Sequence, residues 1–368
     1  MVDAGLYIHI PFCEKRCNYC DFFSCVKKDL IEPYVEELTK EISLCAQRFP
    51  AHIDTIYLGG GTPSILSLEQ LDKIFSAVYK SFSVHSQETT IEVNPNSSKN
   101  IAEYKKFGVN RVSLGVQTLD PVLLKKIGRL HTPEEALDAL SRARVAYDNV
   151  SADLMIGLDE GQDIGANVRA LAPFCTHISG YMLSVPKKSP IKKMIEENKF
   201  FPAKDDVTAD QYEILTATCR ELGFYRYETS NFAMLGKEGI HNGNYWTMKP
   251  YLGVGPSAHS YFDRARHYNV DNLQKYLAGE HSGNGKEKSE RKYSKSAEMT
   301  ETIMLALRTA KGLDIEAFNK KFEIDFRKSY ANGIKAAKKY LGEKNGRIYI
   351  LPQYFAVQNG IIISILTE

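Results

Sequence analysis

The sequence lacks the features that would tie it to a membrane, a nucleic acid or an oxidising compartment. No window has the apolar length of a membrane span, and the first residues lack the basic start and long apolar stretch of a signal peptide. The formal net charge is only +2, which gives no reason to expect nucleic acid as a partner. Seven cysteines are an odd count, and 368 residues can bury a core without disulfides. These absences predict a cytoplasmic globular protein with reduced thiols.

A nucleotide-phosphate motif is also missing. Residues 59–61 are three consecutive glycines, but no Lys and Ser/Thr pair follows them as in a P-loop. Their spacing does not match the dinucleotide fingerprint either. A tight turn is the plain interpretation of these glycines taken alone. Their importance comes from their position, one strand along from the cysteines described next.

Three of the seven cysteines lie close together, at Cys13, Cys17 and Cys20. An iron–sulfur cube has four irons and is usually held by four thiolates. Three closely spaced cysteines can therefore hold such a cluster and leave one iron without a protein ligand. This spacing predicts a [4Fe–4S] cluster whose open iron binds a substrate or cofactor.

A zinc site is the alternative for this triad, and it needs a fourth ligand. The nearest candidates are Cys25 and His9, and neither falls at the paired spacing of zinc ribbons or fingers. Cys45, Cys175 and Cys219 lie in apolar or helical surroundings, so we interpret them as buried, inert thiols.

Strand-like and helical patterns alternate through the first half of the chain, which is typical of βα units around a parallel sheet. Candidate strands cover 6–10, 55–58, 89–93, 111–116, 150–156 and 177–183. Candidate helices cover 30–45, 68–79, 101–107, 133–147 and 166–172. Six units are fewer than the eight of a closed barrel.

Beyond residue 200 the alternation fades. Helical patterns at 209–222 and 296–308 flank an aromatic and glycine-rich middle, and 279–295 is a polar, charged stretch that indicates a loop or linker. The last segment, 314–368, mixes helical patterns with the apolar run 361–366, which we expect to be a buried strand. We interpret this segment as a small α+β accessory unit.

Polar residues stand near the ends of three candidate strands, at Glu92, Gln117 and Asp153. One such residue is commonly a satisfied core hydrogen bond. Because the carboxyl ends of parallel strands form one active face, three of them there favour a polar ligand.

Residues 239–246 hold the only tryptophan of the chain, Trp246, together with His241 and Tyr245. A folded turn with a buried aromatic residue is the simpler interpretation. The sharper one is a site for a flat aromatic ligand that carries a metal, because imidazole can supply an axial ligand and aromatic rings supply stacking area.

Together these residues resemble the radical S-adenosylmethionine (SAM) superfamily, in its coproporphyrinogen dehydrogenase-like branch, and within it the HemW heme chaperone family. The motifs that carry the resemblance are residues 7–13, the cysteine spacing, 59–63, 113–118, 128–131 and, above all, 241–246, which is similar to the HNxxYW signature of heme binding.

The resemblance implies a partial (β/α)6 barrel over 1–200, an extension with the heme motif over 201–295 and a C-terminal α+β domain over 296–368. It implies that Cys13, Cys17 and Cys20 ligate the cluster and that His241 ligates heme. The positions that would line the SAM pocket are Tyr7, Tyr19, Gly60, Gly61, Thr62, Glu92, Gln117, Arg129 and Asp153.

Two departures from the porphyrinogen dehydrogenase pattern bear on function. Phe22 stands where that enzyme carries a further cysteine, and only twelve residues precede Cys13. Both favour a heme chaperone that binds a SAM-carrying cluster and transfers heme to an acceptor, such as a membrane-associated respiratory protein. A radical oxidoreductase acting on a porphyrinogen, or a heme-degrading enzyme, is the alternative.

Overall fold

The computed structural model describes residues 1–187, 189–282 and 290–367, and a parallel sheet forms its centre. Within those ranges the first half of the chain supplies six strands that pair in chain order, each parallel to the next. They are β1 (Val2–Ile10), β2 (Ala51–Gly60), β3 (Ser83–Val93), β4 (Arg111–Gln117), β5 (Asn149–Ile156) and β6 (His177–Met182). The predicted parallel α/β architecture is confirmed.

Helices connect these strands, and most of them begin with a side-chain cap. They are α1 (Ile31–Arg48), α2 (Leu68–Ser81), α3 (Pro121–Ile127), α4 (Pro133–Ala146), α5 (Ile164–Leu171), α6 (Pro190–Glu196) and α7 (Asp205–Glu221). Thr132 and Glu135 form a capping box ahead of α4, with Pro133 at its first position. The segment predicted as a helix at 101–107 is a 3-10 helix (Ile101–Phe107).

Residues beyond 200 extend both edges of the same sheet. The strands are β7 (Tyr225–Arg226), β8 (Asn231–Ala233), β9 (Tyr251–Val254), β10 (His259–Phe262), β11 (Ala265–Tyr268) and β12 (Glu290–Lys292), with α8 (Ile240–Trp246) and α9 (Leu273–Leu277) between them. β8 pairs with β6, and β9 lies parallel beside β1. The predicted polar linker 279–295 thus includes an edge strand, and its residues 283–289 lie outside the described residues.

The C-terminal segment packs around a hydrophobic cluster of its own. Its elements are α10 (Lys295–Ala306), β13 (Leu313–Asp314), α11 (Ile315–Phe322), α12 (Phe326–Ser329), α13 (Ala331–Ala337), β14 (Leu341–Lys344), β15 (Arg347–Ile350) and α14 (Gln358–Thr367). The three strands form a separate antiparallel sheet in the order β13-β15-β14. The division at residues 200 and 295 stays a prediction.

The apolar run 361–366 was expected to be a strand, and this expectation is wrong because the run lies in α14. Ile361, Ile362 and Ile365 are buried, whereas Ile363 is 59% exposed, which is the burial pattern of one helix face. Packing against α13 at Gly333 decides the outcome over the strand propensity of isoleucine.

The strands of the partial barrel have an apolar outer face and a polar inner face. On β2, Ile56 and Leu58 join the hydrophobic core, whereas Thr55 and Tyr57 bond to His241 and Glu92. Alternate residues of a strand point to opposite faces, so the polar positions of every second residue line the interior. No described helix is both long and apolar enough to cross a membrane.

Candidate functional site

The cysteine triad lies in the loop that follows β1, at the carboxyl end of the parallel strands. Backbone hydrogen bonds close this loop, from Cys13 N to Cys25 O at 2.9 Å and from Cys25 N to Pro11 O at 2.7 Å. Thr62 Oγ1 donates to Cys13 Sγ, and Arg129 Nη1 donates to Cys17 Sγ, each at 3.6 Å. Side chains from two neighbouring loops therefore hold the thiols.

All seven cysteines are free thiols, and the three of the loop can accept a metal cluster. Burial raises the pKa of Cys13 and brings that of Cys20 to about 11, and the nearby Cys17 raises both further. Without a cation the Cys13 and Cys20 thiols therefore stay protonated, and a bound metal group would stabilise the thiolates. Burial also raises the pKa of Cys45 and Cys219 to about 12, consistent with inert thiols.

A cavity of about 390 Å³ adjoins the triad, and we call it the carboxyl-end cavity. Among the residues predicted to bind SAM, it is lined by Tyr19, Gly60, Gly61, Thr62, Glu92, Gln117, Arg129 and Asp153. Tyr7 does not line this cavity, and its hydroxyl is 2.9 Å from His9 Nδ1. His241 does not line it. The SAM-binding roles of these residues stay predictions.

Two partly buried acids, Glu92 and Asp153, face this cavity. Glu92 accepts hydrogen bonds from the Tyr57 hydroxyl at 2.8 Å and from Gly60 N at 3.1 Å, so both of its oxygens are occupied. Burial raises the pKa of Glu92 to about 7, and the nearby Asp153 adds to the rise. Burial also raises the pKa of Asp153 to about 6, although the hydrogen bond donated by the Ser113 hydroxyl lowers it. A cationic ligand would relieve this repulsion.

Two positions of the backbone around the cavity require glycine, and a third holds a non-glycine residue at positive φ. Gly60 has φ +114°, and a Cβ there would lie 2.5 Å from the His9 ring. A Cβ on Gly61 would lie 2.7 Å from the Phe12 carbonyl oxygen. Gln117 ends β4 at φ +71°, which costs a non-glycine residue on the order of 1 kcal/mol. Such strain is typical of a residue held for a binding role.

Several lining residues were missed by the sequence analysis, namely Tyr57, Asn94, Ser113 and Tyr181. A signal for three of them was present. Each lies two residues from a small residue on its own strand: Tyr57 from Gly59 on β2, Ser113 from Gly115 on β4, and Tyr181 from Ser179 on β6. Because every second residue of a strand points to the same face, the period of two places each of the three on the inner face.

His241 lies between the strands, on the side of Tyr57 away from the cavity. Its side chain is 1% exposed, and its ring centroid is 5.2 Å from that of Tyr57. Nδ1 is 3.0 Å from Thr55 Oγ1, and Nε2 is 2.8 Å from the Tyr245 hydroxyl. Burial lowers the pKa of His241 to about 3, so the ring is neutral. Both ring nitrogens are therefore occupied by protein groups.

A second cavity, of about 740 Å³, opens at the amino end of the strands, and we call it the amino-end cavity. It is lined from α8 by Ile240, Gly243, Asn244 and Trp246, from the barrel by Glu88, Asn149, Tyr227 and Glu228, and from the C-terminal segment by Ala306, Ala310, Lys311, Leu313 and Phe318. Glu88 lines this cavity, and Glu92 lines the carboxyl-end cavity. The two residues are four apart on β3, and four residues of a strand span about 13 Å, which is the distance between the two cavities along that strand.

Comparisons with known proteins agree with this geometry. Residues 7–164 match the model of the radical SAM superfamily, and residues 293–349 match that of the HemN C-terminal domain. The heme chaperone HemW of Lactococcus lactis is 32% identical over 98% of this chain and 97% of its own length. HemW of Bacillus subtilis is 33% identical over 86% of each chain.

A solved structure shows the same fold. Coproporphyrinogen III oxidase (HemN) from Escherichia coli superposes with a TM-score of 0.84 at 19% identity, covering 100% of this chain and 90% of that one. The chain therefore belongs to the HemW family within the radical SAM superfamily, and its cofactors are a [4Fe–4S] cluster and SAM.

Proposed function

We propose that this protein is a cytoplasmic heme chaperone, which binds heme in the amino-end cavity and passes it to an acceptor protein. The observation that carries the proposal is the lining of that cavity by the histidine–tryptophan helix α8. A cavity of 740 Å³ falls within the usual range for small-molecule sites. Trp246 and Phe318 offer flat apolar surface, and Lys311 offers positive charge for a carboxylate.

The cluster and SAM belong to the opposite end in this proposal. When bound to Cys13, Cys17 and Cys20, the cluster supplies one-electron chemistry and an iron without a protein ligand. Glu92 and Asp153 then supply partly buried negative charge for the cationic groups of SAM. The Gly60 N–H orients Glu92, and Arg129 is held over the inner face by Asn94 at 2.8 Å.

The axial role predicted for His241 stays a prediction. In this structure the ring does not line the amino-end cavity, and ligation would require Nε2 to exchange the Tyr245 hydroxyl for iron. The heme acceptor, for which a membrane-associated respiratory protein is the expectation, and the electron donor belong to the same proposal.

The test is a hemin titration of anaerobically reconstituted protein and of Gly243→Phe. A Cβ on Gly243 meets nothing within 4 Å, so the phenyl ring can enter the cavity without a backbone clash. Gly360→Phe is the matched control, because it is also a helical glycine with open space and lies outside the cavity. We expect near-stoichiometric hemin binding that Gly243→Phe abolishes and Gly360→Phe preserves.

Two outcomes would contradict the proposal. Hemin binding that survives Gly243→Phe would place heme elsewhere. Conversion of coproporphyrinogen III with matching 5′-deoxyadenosine release, or loss of heme with release of iron, would favour the radical enzyme. The radical enzyme is the second candidate because the three cysteines and the acids Glu92 and Asp153 all line the carboxyl-end cavity.

A further inference from the structure

The loop that carries the cysteine triad is attached to the end of α3. Asn18, which lies within the triad, donates from its backbone N–H to Ile127 O at 2.9 Å and from its side chain to Lys126 O at 2.8 Å. Gly128 ends α3 at φ +83°, and a Cβ there would lie 3.3 Å from Asn18 N. The residue that follows Gly128 is therefore held close to the thiols.

That residue is Arg129, whose backbone N–H donates to Leu124 O at 2.9 Å. Its guanidinium donates from Nη1 to Cys17 Sγ at 3.6 Å, from Nη2 to Asn94 Oδ1 at 2.8 Å, and from Nη2 to the Gly115 carbonyl oxygen. The two oxygens are neutral acceptors that fix the direction of the side chain. The sulfur is the one acceptor of the three that becomes an anion when it binds a metal.

No acid forms an ion pair with this guanidinium in the described part of the chain. Glu92 and Asp153 line the same cavity, but neither pairs with it. The Arg129 side chain is partly buried, and its Nε is buried without a hydrogen-bond partner. A cation withdrawn from water costs free energy unless an anion lies beside it. A Cys17 thiolate would be such an anion.

The other two cations at this cavity, Lys15 and Arg16, are exposed. Arg16 donates to the carbonyl oxygen of Cys20 at 3.4 Å and contacts no thiol. Solvent and salt screen exposed charges, whereas a partly buried charge in contact with a sulfur acts through a lower dielectric. Arg129 is therefore the cation of this cavity with the strongest influence on a group bound to the triad.

We propose that Arg129 raises the reduction potential of the [4Fe–4S] cluster through its positive charge and its hydrogen bond to Cys17. The inference rests on the predicted ligation of the cluster by the triad and goes beyond the chaperone function proposed above. The potential of such a cluster depends on its net charge and on hydrogen bonds to its sulfurs.

In the reduction step, one electron passes from an external one-electron reductant to the cluster. No bond forms or breaks and no proton moves, so the net charge at the site becomes more negative by one. A fixed cation beside a ligating sulfur stabilises this reduced state more than the oxidised one. Removal of the cation should therefore make the cluster harder to reduce.

The experiment is a titration of anaerobically reconstituted protein with dithionite and redox mediators, followed by electron paramagnetic resonance of the reduced cluster. Arg129→Gln removes the charge, and Arg129→Lys keeps it without the planar fork of the guanidinium. Arg16→Gln is the matched control, because it removes the same charge from the same cavity at an exposed position with no thiol contact. SAM is left out, so that the predicted SAM-binding role of Arg129 does not contribute. Iron and sulfide analysis reports the cluster content of each variant.

We expect Arg129→Gln to lower the equilibrium constant for reduction by about tenfold, which corresponds to about 59 mV in the midpoint potential of a one-electron couple. Arg129→Lys should give a potential between that of Arg129→Gln and that of the wild type. Arg16→Gln should shift the potential much less, because solvent screens its charge.

An unchanged potential in Arg129→Gln would overturn the inference, as would equal shifts in Arg129→Gln and Arg16→Gln. A potential in Arg129→Lys as low as that in Arg129→Gln would overturn it too, since it would show an effect of packing and not of charge. Should Arg129→Gln not retain the cluster, a wild-type potential in Arg129→Lys would reject the inference. A wild-type protein that assembles no cluster would reject the ligand assignment and the inference with it.

Discussion

Each end of the parallel strands carries a cavity with a glutamate, and the two acids are held differently. Glu92 at the carboxyl end is partly buried, and Glu228 at the amino end is fully buried. At the carboxyl end, both oxygens of Glu92 accept hydrogen bonds, from Tyr57 and Gly60. At the amino end, one oxygen of Glu228 has no hydrogen-bond partner among the described residues. The first arrangement is organised before any ligand arrives, as suits a resident cofactor. The second leaves a buried acceptor unsatisfied, which costs the folded state free energy.

The largest expected effect tests whether the two ends are independent. In Cys17→Ser we expect loss of nearly all cluster iron and acid-labile sulfide, because the cluster loses one of three thiolate ligands. Hemin affinity should be unchanged, since the amino-end cavity contains none of these residues. Iron and sulfide analysis alongside hemin titration measures both.

The control for that experiment is Cys25→Ser. Cys25 belongs to the same loop but contributes its backbone N–H and carbonyl to it. Its cluster content should match the wild type. A hemin affinity that falls together with the cluster in Cys17→Ser would show that the ends are coupled.

The second-largest expected effect concerns His241, which lines neither cavity. His241→Ala should lower the free energy of unfolding by about 2–4 kcal/mol, because it leaves a buried gap and deprives Thr55 and Tyr245 of a partner. Urea denaturation of the ligand-free protein measures the loss.

Thr247→Ala is the control, since the Thr247 hydroxyl bonds only to carbonyl groups of its own helix, and the expected loss is small. An equal loss in both variants would contradict the structural role of His241. SAM affinity should also fall in His241→Ala, because the ring supports Tyr57.

A third test uses the pH dependence of the two acids. The pKa of Glu228 rises from 4.5 in the unfolded chain to about 7 in the folded protein. The folded state therefore binds more protons between these values, so stability falls as the pH rises from 4.5 to about 7 and levels off above that. Glu228→Gln should raise the free energy of unfolding by about 2–3 kcal/mol at pH 8 and by little at pH 5.

Glu92→Gln is the comparison at the other end. Its pKa is also about 7, but the glutamine N–H₂ would face one of the two donors, Tyr57 or Gly60 N. We therefore expect no gain in stability at pH 8. Chemical denaturation at both pH values measures the free energy of unfolding of each variant. An equal increase in the two variants at pH 8 would contradict the difference between the two ends.

The smallest effect concerns Gln117. Gln117→Gly should raise the free energy of unfolding by about 0.5–1 kcal/mol, because glycine adopts positive φ without strain. It should also weaken SAM binding, which equilibrium dialysis measures. Glu323→Gly is the control, with φ +52° at the end of α11 and away from both cavities' acids. SAM affinity that is equal in both variants would remove Gln117 from the binding site.

Much of the carboxyl end could be predicted from the sequence. Its residues end neighbouring strands, and parallel strands bring their ends together by geometry alone. Glu92, Gln117 and Asp153 are polar residues in apolar runs, so the pattern marks them. The period of two places Tyr57 on the inner face, but an aromatic residue is usual in a strand, so Tyr57 does not stand out from its neighbours as the polar residues do.

The amino end could not be predicted in the same way. Its wall joins Asn149, Glu228 and Phe318, which no sequence period relates. His241 was assigned to iron from its motif, whereas its hydrogen bonds to Thr55 and Tyr245 depend on how α8 packs against β2. Packing between distant segments also turned the run 361–366 into a helix.

The wall of the amino-end cavity joins residues of the barrel, such as Glu88 and Glu228, to Leu313 and Phe318 of the C-terminal hydrophobic cluster. A short bridge from Glu228 to Thr309, and the Arg226 guanidinium 3.7 Å above the Phe355 ring, also connect the barrel to the C-terminal segment. A ligand that touches both parts adds its binding energy to their docking, and by reciprocity their docking adds to its affinity. A protein that binds the C-terminal segment and weakens its docking to the barrel would therefore release the ligand from the cavity. This release would not require the cluster.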